Sequence, residues 1–255
     1  MADDLRSTRD LLPINFLMPT PKAIFYDLDG TLRHSQPAGR DVFIAQAIQL
    51  GLTITDEDRR RSARWEHAYW ARSVELATDL ARFKEEDSDF WRNYSWRQLL
   101  ALGCPQADAG DYVQPLHEHM NGNYKPCDLL FEDVFETLAR LRERGYITAV
   151  VSNRDKPFHD YLAEKGILQH FDFSLAAGEV DSWKPSPEIF LHALQRAGVR
   201  PLEAIYIGDN YYADVVGARA VGLRPVLFDP AGIFPEADCP VLQTHAQIFE
   251  LLERM

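Results

Sequence analysis

The stretch Ala23-Ile24-Phe25-Tyr26-Asp27-Leu28-Asp29-Gly30-Thr31 constrains this chain more than any other. A short, continuous, β-prone apolar run reads as a buried strand. Buried strands of that kind belong to parallel sheets, which are covered on both faces. In such sheets ligands sit beyond the carboxyl ends of the strands, and Asp27 and Asp29 fall there. The period of two in an extended chain predicts that both side chains point the same way. Two acids at one point repel each other and need a cation, a proton or a lysine beside them. Gly30 allows close approach of backbone to a ligand, and Thr31 adds a hydroxyl. Taken alone, the same residues also describe a strand that closes in an Asx turn, and the rest of the chain decides between the two.

At 255 residues the chain can form one large domain, or a domain with a smaller companion. Its 39 Asp and Glu outnumber 27 Lys and Arg, for a net charge of −12. Such a surface repels nucleic acid and anionic membrane. Cys104, Cys127 and Cys239 are far apart and form no Cys-x-x-Cys. Neither a disulfide framework nor a zinc site is indicated, and a reduced, cytoplasmic setting fits. No window approaches the ~18 apolar residues of a membrane span. Asp3 and Asp4, with Pro13 and Asn15 breaking the following apolar run, make a poor signal peptide. Residues 1–21 read as an irregular leader, packed in part through Phe16 and Leu17.

After Thr31 the alternation of strand and helix stops. Residues 35–125 read as helix after helix: 41–50 ending at Gly51, a second from a Thr55 or Asp56 cap to about Ser73, then 74–86, a fourth capped by Ser88, and 108–120. From Leu129 alternation returns. Helix is expected over 132–144, strand over 146–151, helix from Pro157 to about Lys165, strand over 171–176 and helix from Ser186-Pro187 to Ala197. Strand follows over 204–207, helix over 213–220, strand over 224–228 and helix over 244–254. This pattern predicts an α/β fold: a Rossmann-like parallel sheet with helices on both faces, interrupted by an all-helical insert. The expected division is a core of 1–34 and 126–255 and a helical cap of 35–125.

Several strands and loops of the core carry polar residues of matching kind. They are Asp27-Leu28-Asp29, Val151-Ser152-Asn153, Ser182-Trp183-Lys184-Pro185, and Gly208-Asp209-Asn210 with Asp214 beyond. Adjacent parallel strands bring such ends to one edge. Acids at that density, all oxygen donors, suit a hard cation such as Mg²⁺. The lysine and serine then suit an anion held by the same cation, and phosphate fits best. Singly, each piece has a plainer reading: a turn hydroxyl, a surface lysine, an Asx turn, a helix-start acid.

Together and in this order, Asp27-x-Asp29-Gly30-Thr31, Ser152, Lys184-Pro185 and Gly208-Asp209 with Asp214 resemble the four motifs of the haloacid dehalogenase superfamily, phosphatase type, with the helical cap inserted after the first motif. The likeness covers residues 22–34 and 126–230; the cap is similar only in position and helicity. The resemblance implies a Mg²⁺-dependent phosphomonoester hydrolase acting on a small phosphorylated metabolite. It implies Asp27 as nucleophile and Asp29 as acid and base. Ser152 and Lys184 would hold the phosphoryl group. The metal would be held by Asp27, Asp209 and the Asp29 backbone carbonyl, and Asp214 would support it or Lys184. Gly30, Thr31, Asn153 and His34 are further candidates for substrate contact. A dehalogenase is disfavoured, because its relatives lack the second acid. A sugar phosphomutase of the β-phosphoglucomutase type is lowered by Gly39, which stands where those relatives carry a cap-hinge histidine. A non-catalytic binding protein is disfavoured by the intact motifs. His117 and His119 are expected on the surface, most cap aromatics in the cap core, and Arg64, Arg72 or Arg97 near a substrate anion.

Overall fold

The computed structural model describes residues 19–255. The leader expected over 1–21 lies outside them up to residue 18. Among the described residues there are eight strands: β1 (Ala23–Tyr26), β2 (Arg33–Gln36), β3 (Cys127–Leu130), β4 (Ile147–Ser152), β5 (Phe173–Ala176), β6 (Ala204–Gly208), β7 (Arg224–Phe228) and β8 (Val241–Leu242). The helices between β2 and β3 are α1 (Gly39–Gln49), α2 (Asp56–Trp70), α3 (Val74–Arg82), α4 (Ser88–Ala101) and α5 (Gln106–Asn123). Those after β3 are α6 (Val134–Glu143), α7 (His159–Glu164), α8 (Ala177–Val180), α9 (Pro187–Ala197), α10 (Val216–Ala220) and α11 (Ile248–Glu253).

The main sheet is wholly parallel, in the order β5-β4-β1-β6-β7-β8. The chain starts in the centre, builds outward one way through β4 and β5, then crosses to β6 on the other side of β1. That reversal is the topological switch point of a doubly wound sheet, where a crevice opens beyond the strand ends. The alternation along β1 explains its two-sided burial. Ile24 and Tyr26 pack with Leu138 and Leu141 of α6, Leu162 of α7 and Ile248 of α11. Ala23 and Phe25 pack on the other face with Ile189 and Phe190 of α9 and Ala218 of α10.

The five helices of residues 39–123 have their own apolar contacts. Phe43, Ile44 and Ala47 of α1 meet Leu99 of α4 and Leu116 of α5. Tyr69 of α2 and Leu76 of α3 meet Phe90 and Tyr94 of α4. Thr55 caps α2 with a reciprocal capping box to Asp58.

Two differences from the sequence reading have local causes. The helical stretch is expected from residue 35 and no strand is expected beside it, but residues 33–36 form β2, paired antiparallel with β3 at the two ends of the insert. Arg33-His34-Ser35-Gln36 carries no strand-like apolar pattern, so only the partner strand stabilises it. The helix expected from Ala213 begins earlier, as a π-helical turn over Tyr211–Val215 that leads into α10. The side chain of Asn210 accepts hydrogen bonds from the Tyr212 and Ala213 amides there. Among the described residues, no helix is long and apolar enough to cross a membrane.

Candidate active site

Asp27 follows β1 directly, and its amide donates to the Ile207 carbonyl at 2.8 Å. Its carboxylate is buried and receives the Lys184 ammonium at 2.5 Å. Lys184 is itself buried and also donates to Asp214 at 2.7 Å. Asn153 fixes the backbone of this lysine from both sides: the Lys184 amide donates to Asn153 Oδ1 at 2.7 Å, and Asn153 Nδ2 donates to the Lys184 carbonyl at 3.0 Å. Ser152, at the end of β4, is buried and lines the same cavity.

Asp209 closes the other side. Its amide donates to Thr31 Oγ1 at 2.9 Å, and Thr31 Oγ1 donates to Asp209 Oδ1 at 3.2 Å. Thr31 is fully buried and outside the cavity lining, so its hydroxyl buttresses Asp209 and does not face a substrate. Gly30, at φ +93°, lies so near that a Cβ would stand 2.4 Å from Asp209 Oδ2. The requirement there is both a left-handed backbone and absence of a side chain.

The two acids of the first motif do not point together as an extended chain would make them. The strand ends at Tyr26. Asp29 is exposed and gripped by Arg154 through two hydrogen bonds of 2.9 Å, with Arg33 Nη1 at 3.2 Å. Arg33 and Arg154 had no motif to announce them. They reach Asp29 from the β2 strand and from the loop after β4, and no sequence pattern relates these positions.

Asp27, Asp209 and Asp214 each offer a carboxylate oxygen, all within 4.8 Å of one another. Burial pushes the Asp27 carboxyl up to about 7, with Lys184 pulling it down and Asp214 and Asp29 raising it. Burial likewise lifts Asp209 well above its ordinary range, helped by Asp27 and Asp214. Burial opposes the charge of Lys184, but Asp214 and Asp27 outweigh it and hold the ammonium well above its usual range. Two buried carboxylates, Asp27 and Asp214, therefore share one ammonium with the half-buried Asp209 beside them, and the group lacks positive charge. An all-oxygen set with that deficit fits a hard divalent cation. The side chain of Asp29 is not among these three.

The cavity over the acids measures about 810 Å³ and is walled on one side by residues of α1, α2, α4 and α5. His34 lines it, its ring 4.5 Å from Phe131. His117, expected on the surface, is instead buried and lines the cavity beside Asn121, which it meets at 2.8 Å. Trp70, Trp91 and Tyr94 also line it, whereas Tyr69 and Phe90 are core as expected. The arginines expected near an anion are occupied elsewhere. Arg64 donates to the Ile233 carbonyl and Glu236, Arg97 to Asp79, and Arg72 lies over the Trp183 ring. Arg40 and Glu66, which had no sequence signal, stand in the wall instead.

A doubly wound sheet with buried acids and a lysine at its switch point, roofed by helices inserted after the first strand, defines a class of hydrolase. The family model for haloacid dehalogenase-like hydrolases matches residues 21–222. The chain belongs to that family. It is 31% identical over 208 residues to the mouse Haloacid dehalogenase-like hydrolase domain-containing protein 3, covering 81% of each chain. It is 30% identical over 213 residues to the ribulose-1,5-bisphosphate 5-phosphatase of Halopiger xanaduensis, covering 82% of this chain and 85% of that one. Among solved structures, the HAD phosphatase from Thermococcus onnurineus is similar at 25% identity and a TM-score of 0.52, over 91% of this chain and 97% of that one.

Proposed function

We propose that the protein is a Mg²⁺-dependent phosphomonoester hydrolase that acts on a small phosphorylated metabolite through a phosphoryl-aspartate at Asp27. The observation that carries this reading is the buried Asp27 carboxylate, ion-paired to Lys184 at 2.5 Å at the floor of the cavity. Asp27, Asp209 and the Asp29 backbone carbonyl would hold Mg²⁺, which supplies positive charge against the phosphoryl oxygens. An Asp27 oxygen attacks phosphorus as the bond to the leaving alkoxide breaks, and Asp29 delivers a proton to that oxygen. Water then attacks phosphorus, Asp29 takes its proton, and the Asp27–phosphorus bond breaks to release phosphate. Lys184 and Ser152 hold the transferring oxygens, and Asp214 holds Lys184. To act, Asp29 has to leave Arg154 and Arg33. Residues 35–125 serve as the cap over the core of 1–34 and 126–255.

The test is hydrolysis of p-nitrophenyl phosphate with and without Mg²⁺, in wild type and Asp27→Asn. Turnover should stop with chelator, return with Mg²⁺, and fall to background in the folded variant. Full activity in Asp27→Asn would overturn the assignment of the nucleophile.

A further inference from the structure

The cavity has a second wall whose chemistry differs from the acid floor. Trp70 of α2 and Trp91 and Tyr94 of α4 stand together in it, with ring centroids 5.5 to 6.2 Å apart. Trp91 leaves 40% of its surface exposed, an unusual surplus of aromatic face inside a packed helical unit. The Tyr94 hydroxyl receives the Trp70 indole N–H at 3.3 Å and donates to Glu66 at 3.0 Å. The other Glu66 oxygen faces Arg40 at 3.3 Å. Trp70 and Tyr94 are thus fixed by hydrogen bonds, and Trp91 is held by packing against Trp70, Phe90 and Tyr94.

The charges of the cavity point the same way. Among the described residues, every lysine and arginine lining it already faces a carboxylate. Lys184 is taken by Asp27 and Asp214, Arg33 and Arg154 by Asp29, and Arg40 by Glu66. Burial holds down the proton affinity of the neighbouring His67 and His117. If Asp29 turns toward a substrate, Arg154 is released, but it stands at the acid end, two residues beyond Ser152, where the transferring phosphoryl group lies. Arg33 remains held by Asp128 at 2.6 Å. The far wall therefore offers no unmatched cation to a second anionic group, and Glu66 opposes one.

Resting on the phosphatase reading, we propose that this cavity selects phosphate monoesters whose other end is an uncharged planar ring. It discriminates against esters that carry a second phosphate or a carboxylate. A ring against Trp91 gains stacking that an aliphatic body cannot, roughly 5- to 100-fold in affinity for a well-placed ring. Hydroxyl or amino donors on such a body find an acceptor in Glu66. The volume of about 810 Å³ accommodates a ring, a short linker and the phosphate.

The experiment compares kcat/KM for benzyl phosphate, adenosine 5′-monophosphate, O-phosphoserine, 2-phosphoglycolate and ribulose 1,5-bisphosphate with Mg²⁺. All five present a primary alkoxide as leaving group, so differences arise mainly from the rest of the molecule. Both ring esters should exceed the three anionic esters by about tenfold or more. Trp91→Leu should lower the ring esters about fivefold or more relative to the anionic ones. Glu66→Gln should narrow the gap by favouring the anionic esters. An anionic ester processed as well as the ring esters, or a Trp91→Leu effect common to all five, would overturn the inference. If no ester is hydrolysed, the phosphatase reading has failed and binding decides the specificity. Benzyl phosphate should then quench tryptophan emission at lower concentration than 2-phosphoglycolate, and the reverse order sinks the proposal.

Discussion

Asp27, Asp209 and Asp214 crowd around a single ammonium, and the charge balance of the site turns on that one residue. An ion pair at 4 Å is worth ~4 kcal/mol at an effective dielectric of 20, and Lys184 makes two, both buried. Lys184→Met should lower kcat/KM by at least ~10²-fold, on the scale of losing one oxyanion donor. It should also cost about 3–5 kcal/mol of stability, because it strands carboxylates in the interior. Chemical denaturation with and without Mg²⁺ reads the second effect, and added metal should recover part of it. A rate loss under tenfold would place Lys184 outside the reaction. Gly30 bears on the same balance through space rather than charge. Its Cβ in Gly30→Ala would meet Asp209 Oδ2 at 2.4 Å from a backbone at φ +93°. The variant should need roughly 10-fold more Mg²⁺ or beyond for half-maximal rate, as when a residue supporting a metal ligand is lost. An unchanged Mg²⁺ requirement would show that Asp209 has room to move aside.

Helix α2 joins the inserted helices to the core, and His67 is at that junction. Its carbonyl accepts from Asn210 Nδ2 at 2.9 Å, its ring meets Phe234 at 5.4 Å, and its buried Nδ1 has no hydrogen-bond partner among the described residues. Burial first, and the charge of Arg40 second, push the imidazole down to about 4. In the unfolded chain the ring takes up its proton near the ordinary value of about 6.5; in the folded chain it does so only near 4. The contribution of neutral His67 to stability is therefore whole above about 6.5 and is lost progressively as pH falls toward 4. Relative to His67→Gln, wild type should lose on the order of 2 kcal/mol across that window. Unfolding curves at several pH values measure it, and parallel profiles for the two proteins would refute it. The same helix shows what the sequence could disclose. Its start was legible because Thr55 and Asp58 form a capping box from nearest neighbours. Likewise β1 was legible from its own continuous apolar run, and Asp27, Lys184, Asp209 and Asp214 from motifs in fixed order. β2 was not, since Arg33-His34-Ser35-Gln36 becomes a strand only beside Cys127–Leu130. Nor was the grip of Arg154 on Asp29, which spans 125 positions, or the placing of His117 and Trp91 in the cavity. Those depend on how the helices dock, which periodicity within one helix does not specify.

At the scale of the whole molecule, the inserted helices enter and leave through one antiparallel pair, β2 and β3. Both connections thus lie side by side, and the insert is tethered at a single stalk. It is held again at α2, where Arg64 donates to the Ile233 carbonyl at 2.8 Å and Asn210 donates to the His67 carbonyl. Stalk and α2 together set the helices over the strand ends, so that residues of α1, α2, α4 and α5 wall the same cavity that Asp27 floors. A cavity of about 810 Å³ has the size of a small-molecule site. A phosphorylated side chain on a folded protein carries backbone on both sides. To bring its phosphorus to Asp27 it would have to displace α2 from the core and forgo those hydrogen bonds. Misplacing a reacting group by even 1 Å can cost ~10²-fold in rate. The expected outcome is that kcat/KM for a folded phosphoprotein falls at least ~10²-fold below that for the best small ester. Arg64→Ala, which loosens the α2 contact without touching the acid floor, should narrow that gap by raising the rate on a short phosphopeptide relative to the small ester. Phosphate release from both substrates, measured for wild type and variant, decides it. A folded phosphoprotein turned over as fast as the small ester would mean that the helices do not restrict entry. A gap unmoved by Arg64→Ala would mean that α2 is not the element that does so.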